Sequence, residues 1–501
     1  MAATVLPLSF SGGAVATPAI GRDLGGGAVS LTWITNAFML SFGSLLMAAG
    51  ALADQYGRKR LFAWGMALFV ASSVALSVAP SVVWLDALRA VQGMAAAAAL
   101  AGGSAALAQE FEGRARTRAF SVLGASFGLG LAFGPVLAGW LIAWLGWRSL
   151  FLLIAAIGAA ALAFGVPRMR ETHDPHAAGL DWSGTATFTA ALVLLTSGII
   201  QGPGSGWSSL LIMGLFAGAA LLLGAFVAIE TRIEQPMLDL SLFRYPRFVG
   251  VQVLPIGTCC CYIVLVVILP LRLIGVEGHS EMQAGLLMLA LSGPMLAVPL
   301  LAARLTRWIS AGVLSGVGFA VAALGIYWLS TLNFGSAAHG LPAPLLAIGI
   351  GAGLPWGLMD GLSVSVVPKE RAGMATGIFN TTRVAGEGIA LALVSASLAG
   401  LLQLSLHKTW PDAAASEVAK AAQQLAAGDL AQAAMNLPET SVAALKGAYA
   451  EAFRHILQWL ALVTSCCAVA VLTVLGRVSG SDVPQASPAE EAVPGLASEE
   501  P

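Results

Sequence analysis

Long apolar runs alternate along the chain with short breaks of charged, Gly or Pro residues, and the runs are close to the length of a membrane-crossing helix. About 20 apolar residues carry an α-helix across the hydrocarbon core of a bilayer. Fourteen runs qualify: Thr4 to Ile20, Leu31 to Ala53, Leu61 to Ala79, Val82 to Ala108, Ala119 to Leu145, Ser149 to Val166, Gly184 to Ile200, Leu210 to Ile229, Phe248 to Pro270, Ala284 to Ala303, Trp308 to Ser330, Leu341 to Val367, Gly373 to Leu404 and His455 to Leu475. The first starts at the initiator Met with no cytosolic arm and lacks the basic n-region of a cleaved signal peptide. It is read as a retained helix, and the true start of the chain is expected upstream. Two polar stretches remain. Leu406 to Phe453 should be an outward loop with short amphipathic helices lying outside the bilayer, from its Ala/Glu/Gln/Lys pattern. The tail 479–501, rich in Pro, Ser, Ala and Glu, should be disordered.

Composition agrees. Charged residues make up 10% of the 501, against about 25% in soluble domains, so the apolar excess needs a solvent other than water and a cytosolic enzyme is excluded. A net charge of −1 removes the electrostatic case for nucleic-acid binding. An even number of spans puts both termini on one side. Placing them in the cytoplasm puts sixteen of the 25 Lys and Arg in inner loops and seven in outer ones, with Arg89 and Arg383 inside spans. That asymmetry predicts a multi-pass protein of the cell membrane, a bacterial inner membrane, with cytoplasmic termini. None of the five Lys follows Gly, so no phosphate loop exists, and the six His show no H-E-x-x-H spacing. His173 and His176 read as solvated surface. The five Cys stand adjacent, at 259–261 and 466–467, inside apolar runs, which suits small apolar packing better than a disulfide or metal framework. Neither a cofactor, a metal nor an enzymatic activity is expected.

The turn after the second span reads Gly50-Ala-Leu-Ala-Asp54-Gln-Tyr-Gly57-Arg58-Lys59-Arg60. A tight turn needs Gly where backbones crowd, an acid able to cap a helix, and basic side chains to hold the loop on the inner face. A loop that only sets topology would not require the spacing of Gly50, Asp54 and Gly57. The segment resembles motif A of the major facilitator superfamily, G-x-L-a-D-r-x-G-r-k. The fourth span opens Leu85-Asp86-Ala-Leu-Arg89-Ala-Val-Gln92-Gly93, similar to motif B, and the resemblance implies that Arg89 serves proton coupling. An intramembrane Arg is costly and faces a partner or a wet cavity. Asp86, one helical turn earlier, is a candidate partner; the alternative is an Arg89 that snorkels to the outer surface about 10 Å away. In the fifth span, Gly130-Leu-Ala-Phe-Gly134-Pro135-Val-Leu-Ala138-Gly139 resembles antiporter motif C, with Ala138 in place of one Gly. Small residues at this spacing let helices approach closely, and Pro135 should bend the span.

These motifs, together with Asp239 to Arg244, Ala375 to Arg383 and the long loop before the last span, make the chain similar to the fourteen-helix drug:proton antiporter branch of that superfamily over essentially its whole length. The resemblance implies an all-α membrane fold of two six-helix bundles plus two inserted helices, the seventh and eighth. The corresponding divisions are 1–166, an inserted segment 167–247, 248–478 with the outer loop 406–453, and the tail 479–501. Two departures stand out. Where the branch carries a first-span acid, this chain has Ser9, with Ser11 and Ala14 at the neighbouring pattern positions. The mirrored inner loop at 303–307 lacks the Asp and Gly of motif A. Other intramembrane charges are Asp360 in the twelfth span and Arg383 with Glu387 in the thirteenth. The latter two form either a static i, i+4 pair or a pair in which Glu387 is proton-linked.

The function implied is a secondary exporter that moves small amphipathic solutes, aromatic or cationic, outward against protons, with a lipid bilayer and a periplasmic adaptor protein as expected partners. A dedicated exporter of one metabolite is the alternative within transport. A non-transporting membrane sensor and an intramembrane enzyme are the alternatives from other classes.

Overall fold

The computed structural model describes residues 1–111, 113–173, 181–233, 238, 240–332, 340–367, 372–437 and 441–476. All regular structure among them is helical, and fourteen helices are long and apolar enough to cross a membrane. They are Ala2–Leu24, Ala28–Tyr56, Arg58–Ser77, Val82–Glu110, Val122–Leu145, Trp147–Arg168, Trp182–Ser205, Leu210–Glu230, Pro246–Val276, Glu281–Leu305, Ala311–Thr331, Pro342–Ser363, Gly377–Thr409 and Val442–Val474. Every expected span is present. The tail and His176 lie outside the described residues, and His173 is exposed.

Within the first six spans, the second and third pack against the fourth, the first against the fifth, and the third against the sixth. In the second set the eleventh packs against the twelfth and fourteenth. Tight seams join the sets where the second span meets the thirteenth and the fifth meets the tenth. The seventh and eighth spans pack on one another, and the seventh packs on the second and thirteenth. This is the expected all-α membrane architecture. The ninth span is irregular: with Pro255 and Pro270 inside it, it widens into π-helical turns at Cys259–Ile263 and Leu271–Val276. Such turns recur at functional positions because they re-aim side chains. The five Cys are free thiols packed in or beside this region and the last span.

The loop before the last span departs from expectation. The thirteenth helix continues to Thr409, and the last begins at Val442 with Ser441 capping it, about a dozen residues before the apolar run. The added turns are amphipathic: Leu445, Tyr449, Ala452 and Phe453 are buried while the polar stripe faces away, so a hydropathy count misses them. Between the two spans lie helices Ala415–Ala426 and Leu430–Asn436. The first buries Val418, Ala421, Ala422 and Leu425 against the second, seventh and thirteenth spans. The loop does carry short helices, as its pattern predicts. It roofs the junction of the two sets.

Candidate functional site

Arg89 is fully buried in the middle of the first bundle. Its Nε donates to the Ile34 carbonyl at 2.9 Å, and one terminal nitrogen donates to Ser9 Oγ at 2.9 Å, the Ser9 carbonyl at 3.4 Å and Gln92 Oε1 at 2.6 Å. The Phe38 ring stands 4.4 Å from the guanidinium carbon. Ser9 also donates to Gln92 Oε1 at 3.2 Å, and Gln92 donates to Ser73 Oγ at 2.8 Å. The first, second and fourth spans thus meet at one guanidinium, with Ser73 of the third held through Gln92, and snorkelling is ruled out. Gly93 is required here: a Cβ at that position would meet the Phe38 carbonyl and Ser41 of the second span. Asp86 is not the partner that sequence spacing suggests. No ion pair joins it to Arg89, and its Oδ1 is buried without a hydrogen bond. Instead the residue at the position of the missing first-span acid, Ser9, holds the guanidinium directly. The neutral shell solvates two of the three guanidinium nitrogens without cancelling the charge, and Nη2 is buried without a hydrogen bond.

In the second bundle, Arg383 makes no salt bridge with Glu387 and pairs with Asp360 of the twelfth span at 3.4 Å. Of the two readings that the sequence left open, the static i, i+4 pair is not formed, since the ion pair of Arg383 goes to a carboxylate of the neighbouring helix. Glu387 is 5% exposed, whereas the Asp360 side chain is 60% exposed toward the face that holds the termini. Trp356 lies 5.8 Å from the Arg383 guanidinium and makes an edge contact with the Tyr262 ring at 6.0 Å. Both polar atoms of Gln252 are buried without hydrogen bonds, and the buried Tyr262 hydroxyl has Ser292 beside it as its partner. Uncompensated polar atoms are rare in packed interiors and point to water or a ligand. Tyr262, Trp356, Gln252 and Ser292 were not singled out from sequence, because nothing in their local pattern separates them from packing residues.

Between the bundles, Thr17, Thr32, Thr35, Asn36, Leu391 and Ser395 line a cavity of about 30 Å³. Its ceiling is Ala426 and Ala427, at the end of the loop helix. The roof is sealed by backbone contact with the ninth span: a Cβ at Gly275 would strike the Gly428 carbonyl, and one at Gly428, at φ +82°, would strike the Leu271 carbonyl. On the same face, Arg22 pairs with Glu281 across the two bundles.

At the opposite face the motif A turn is a closed clamp. Gly57, at φ +109°, makes the turn. Arg58 folds back on Asp54 with contacts of 2.7 and 3.0 Å and reaches Gln109 at the end of the fourth span. Residues after the sixth span complete it: Thr172 accepts from the Arg58 amide at 2.9 Å, and Glu171 accepts from the Lys59 amide at 3.1 Å and lies 3.7 Å from Arg60. Gln109 and Glu171 were missed because they are distant in sequence and follow no motif. Gly50 corrects the expectation of crowding, since nothing stands within 4 Å of a Cβ there.

The motif C stripe packs as expected. A Cβ at Gly130 would strike the Thr4 carbonyl, and one at Gly134 would strike the Ser11 hydroxyl, both on the first span. Pro135 backs onto Gly285, and Gly139 onto the Glu281 carbonyl, so the same stripe carries the seam to the tenth span.

Comparison with known proteins decides the family. The Major Facilitator Superfamily model matches residues 1–391. The chain belongs to the major facilitator superfamily. Among curated relatives, the multidrug resistance protein Stp of Mycobacterium tuberculosis is 32% identical over 78% of this chain and 73% of its own. The probable actinorhodin transporter of Streptomyces coelicolor is 33% identical over 77% and 69%, and the cephamycin export protein CmcT of Amycolatopsis lactamdurans 35% over 76% and 79%. A solved bacterial homologue of the lysosomal transporter Spinster, inward-facing and unoccupied, superposes with a TM-score of 0.59 at 16% identity over 94% of this chain and 95% of that one, which shows the fold alone. This is a transporter, not an enzyme, and its relatives are drug and antibiotic efflux proteins of the superfamily.

A major facilitator bundle held by such close glycine contacts tolerates no side chain there. Gly134→Leu should force the first and fifth spans apart, an overpacking cost of about 1–3 kcal/mol. The variant should show a clearly lowered unfolding temperature in detergent. An unchanged midpoint would mean that the two spans have slack here.

Proposed function

We propose that this chain is a proton-coupled secondary exporter of small amphipathic compounds, working as an antiporter in a bacterial inner membrane with both termini in the cytoplasm. The observation that carries the reading is the Arg89 charge, held by neutral acceptors, the Ile34 carbonyl, Ser9 and Gln92, while two carboxylates, half-buried Asp86 and buried Glu387, make no salt bridge. Such an arrangement lets a proton change the charge balance of the core as the bundles rock. We assign the rocking bodies to 1–166 and 248–478, with 167–247 inserted between them. With the roof closed and Asp360 open to the opposite face, the conformation suits loading from the cytoplasm; release requires the loop helix to leave its seat on Gly275.

Ser9 favours a second reading, a dedicated exporter of one metabolite, because a first-span acid that would attract cationic drugs is absent. Relatives named for multidrug resistance and for single natural products support each reading in turn. The deciding experiment uses proteoliposomes with and without an imposed pH gradient, offered planar aromatic cations and acidic natural products side by side. Gradient-dependent movement of several unrelated compounds supports multidrug export. Movement of one compound supports the dedicated exporter, and gradient-independent movement refutes proton coupling.

The clamp around Arg58 lies at the membrane surface, far from the cavity, so its role is in switching. Asp54→Asn should slow transport at least about ten-fold, a rise of about 1.4 kcal/mol in the switching barrier, and leave equilibrium substrate binding within about two-fold. Lost binding with an unchanged exchange rate would contradict it.

A further inference from the structure

On the face that carries the loop, the outer ends of the ninth, eleventh and last spans enclose a cleft of about 820 Å³ that is separate from the central cavity. One face of the last helix lines it with Gly447, Glu451, Arg454, His455 and Gln458, spaced three and four apart. Ser330 and Thr331 stand opposite, their hydroxyls donating to their own helix carbonyls at 2.6 and 2.7 Å and leaving lone pairs toward the cleft. At its floor, Arg272 pairs with Glu277 at 3.3 Å and stacks over Phe453 at 4.5 Å. Lys446 reaches only the Glu277 carbonyl, at 3.5 Å, and among the described residues Arg454 makes no ion pair. Two cations therefore face one free acid, Glu451.

The level of the cleft is set by its neighbours. Tyr327, Trp328 and Trp459 are largely exposed beside it, with Leu324 and Leu462 exposed on the membrane side. Exposed Trp and Tyr mark the headgroup level of a bilayer. A cleft at that depth lined by Lys446 and Arg454 has the charged donors for a phosphate and an opening toward lipid.

We propose that this cleft binds a phosphate group, and that the phosphate is the headgroup of an anionic phospholipid seated between the eleventh and last spans. Arg454 and Lys446 contact it; neither belongs to the transport machinery described above.

The test uses the full chain in nanodiscs of phosphatidylcholine with a minor share of phosphatidylglycerol, and counts lipids retained on extraction by native mass spectrometry. Each cation near a membrane surface is worth about five-fold in affinity, so Arg454→Gln with Lys446→Gln should lower retained phosphatidylglycerol about twenty-fold. Arg454→Lys should keep most of it. Inorganic phosphate is the second arm. If millimolar phosphate fails to displace the lipid, the headgroup source stands. If phosphate binds the wild type in a lipid-free detergent and the double variant loses that binding, the site is for a soluble phosphate and the lipid assignment falls. Equal phosphatidylglycerol retention by wild type and double variant overturns the site altogether.

Discussion

Arg89→Ala should abolish gradient-driven export, by about 100-fold or more, with the protein still inserted at normal levels. The guanidinium joins the first, second and fourth spans through Ser9, Ile34 and Gln92, and hydrogen bonds to a charged group are each worth about 1.5–3 kcal/mol. Removing it leaves Ser9 and Gln92 to bond one another, as they already do at 3.2 Å, so the bundle retains polar satisfaction while losing its charge. Arg89→Lys should not rescue, because a point charge cannot serve acceptors on three helices at once. The measurement is substrate efflux from inverted vesicles against imposed pH gradients, with membrane content determined by in-gel fluorescence. Export that survives with the same pH dependence would leave Arg89 as a structural tie only.

The second large effect falls on the carboxylates. If protons are exchanged for substrate, some acid must alternate between protonated and ionised as the cavity faces each side. Burial without a fixed counter-ion makes that alternation responsive to its surroundings. Glu387 meets the condition best, being buried and without the cation that spacing would give it. Asp86 comes second, with one oxygen sequestered and unbonded. Asp360 comes last, exposed and occupied by Arg383. Glu387→Gln should remove substrate-induced proton release in detergent and cut uphill export at least about ten-fold, while downhill exchange persists. Normal coupled transport by the Glu387, Asp86 and Asp360 amide variants singly and together would mean that the coupling ion is not H⁺.

The fold was legible because a lipid-crossing helix writes its length directly into the chain: all fourteen apolar runs became spans. Where reading failed, a local rule was outranked by a distant partner. Helical spacing pairs Asp86 with Arg89 and Arg383 with Glu387, yet the guanidiniums reach Ser9 and Asp360, which only the assembled bundle brings near. The motif A turn announced Asp54 and Arg58 but not Glu171, which closes the clamp from more than a hundred residues away. The extension of the last helix escaped because its outer turns are amphipathic rather than apolar. Gln252 escaped because a lone polar residue in an apolar run has no signature until its neighbours fail to bond it.

Two of the acceptors around Arg89 are main-chain carbonyls, those of Ile34 and Ser9. A side-chain substitution cannot delete them. Saturation mutagenesis across the second span should therefore score position 34 as tolerant of Val or Leu, and a map of sensitive positions would omit a group that grips the charge. Position 38 should be sensitive in a telling way, because Pro there both removes the ring above the guanidinium and disturbs the helical turn that presents the Ile34 carbonyl. Part of what recognises this arginine is encoded in the course of the backbone, and is invisible to any comparison that reads only which amino acids change.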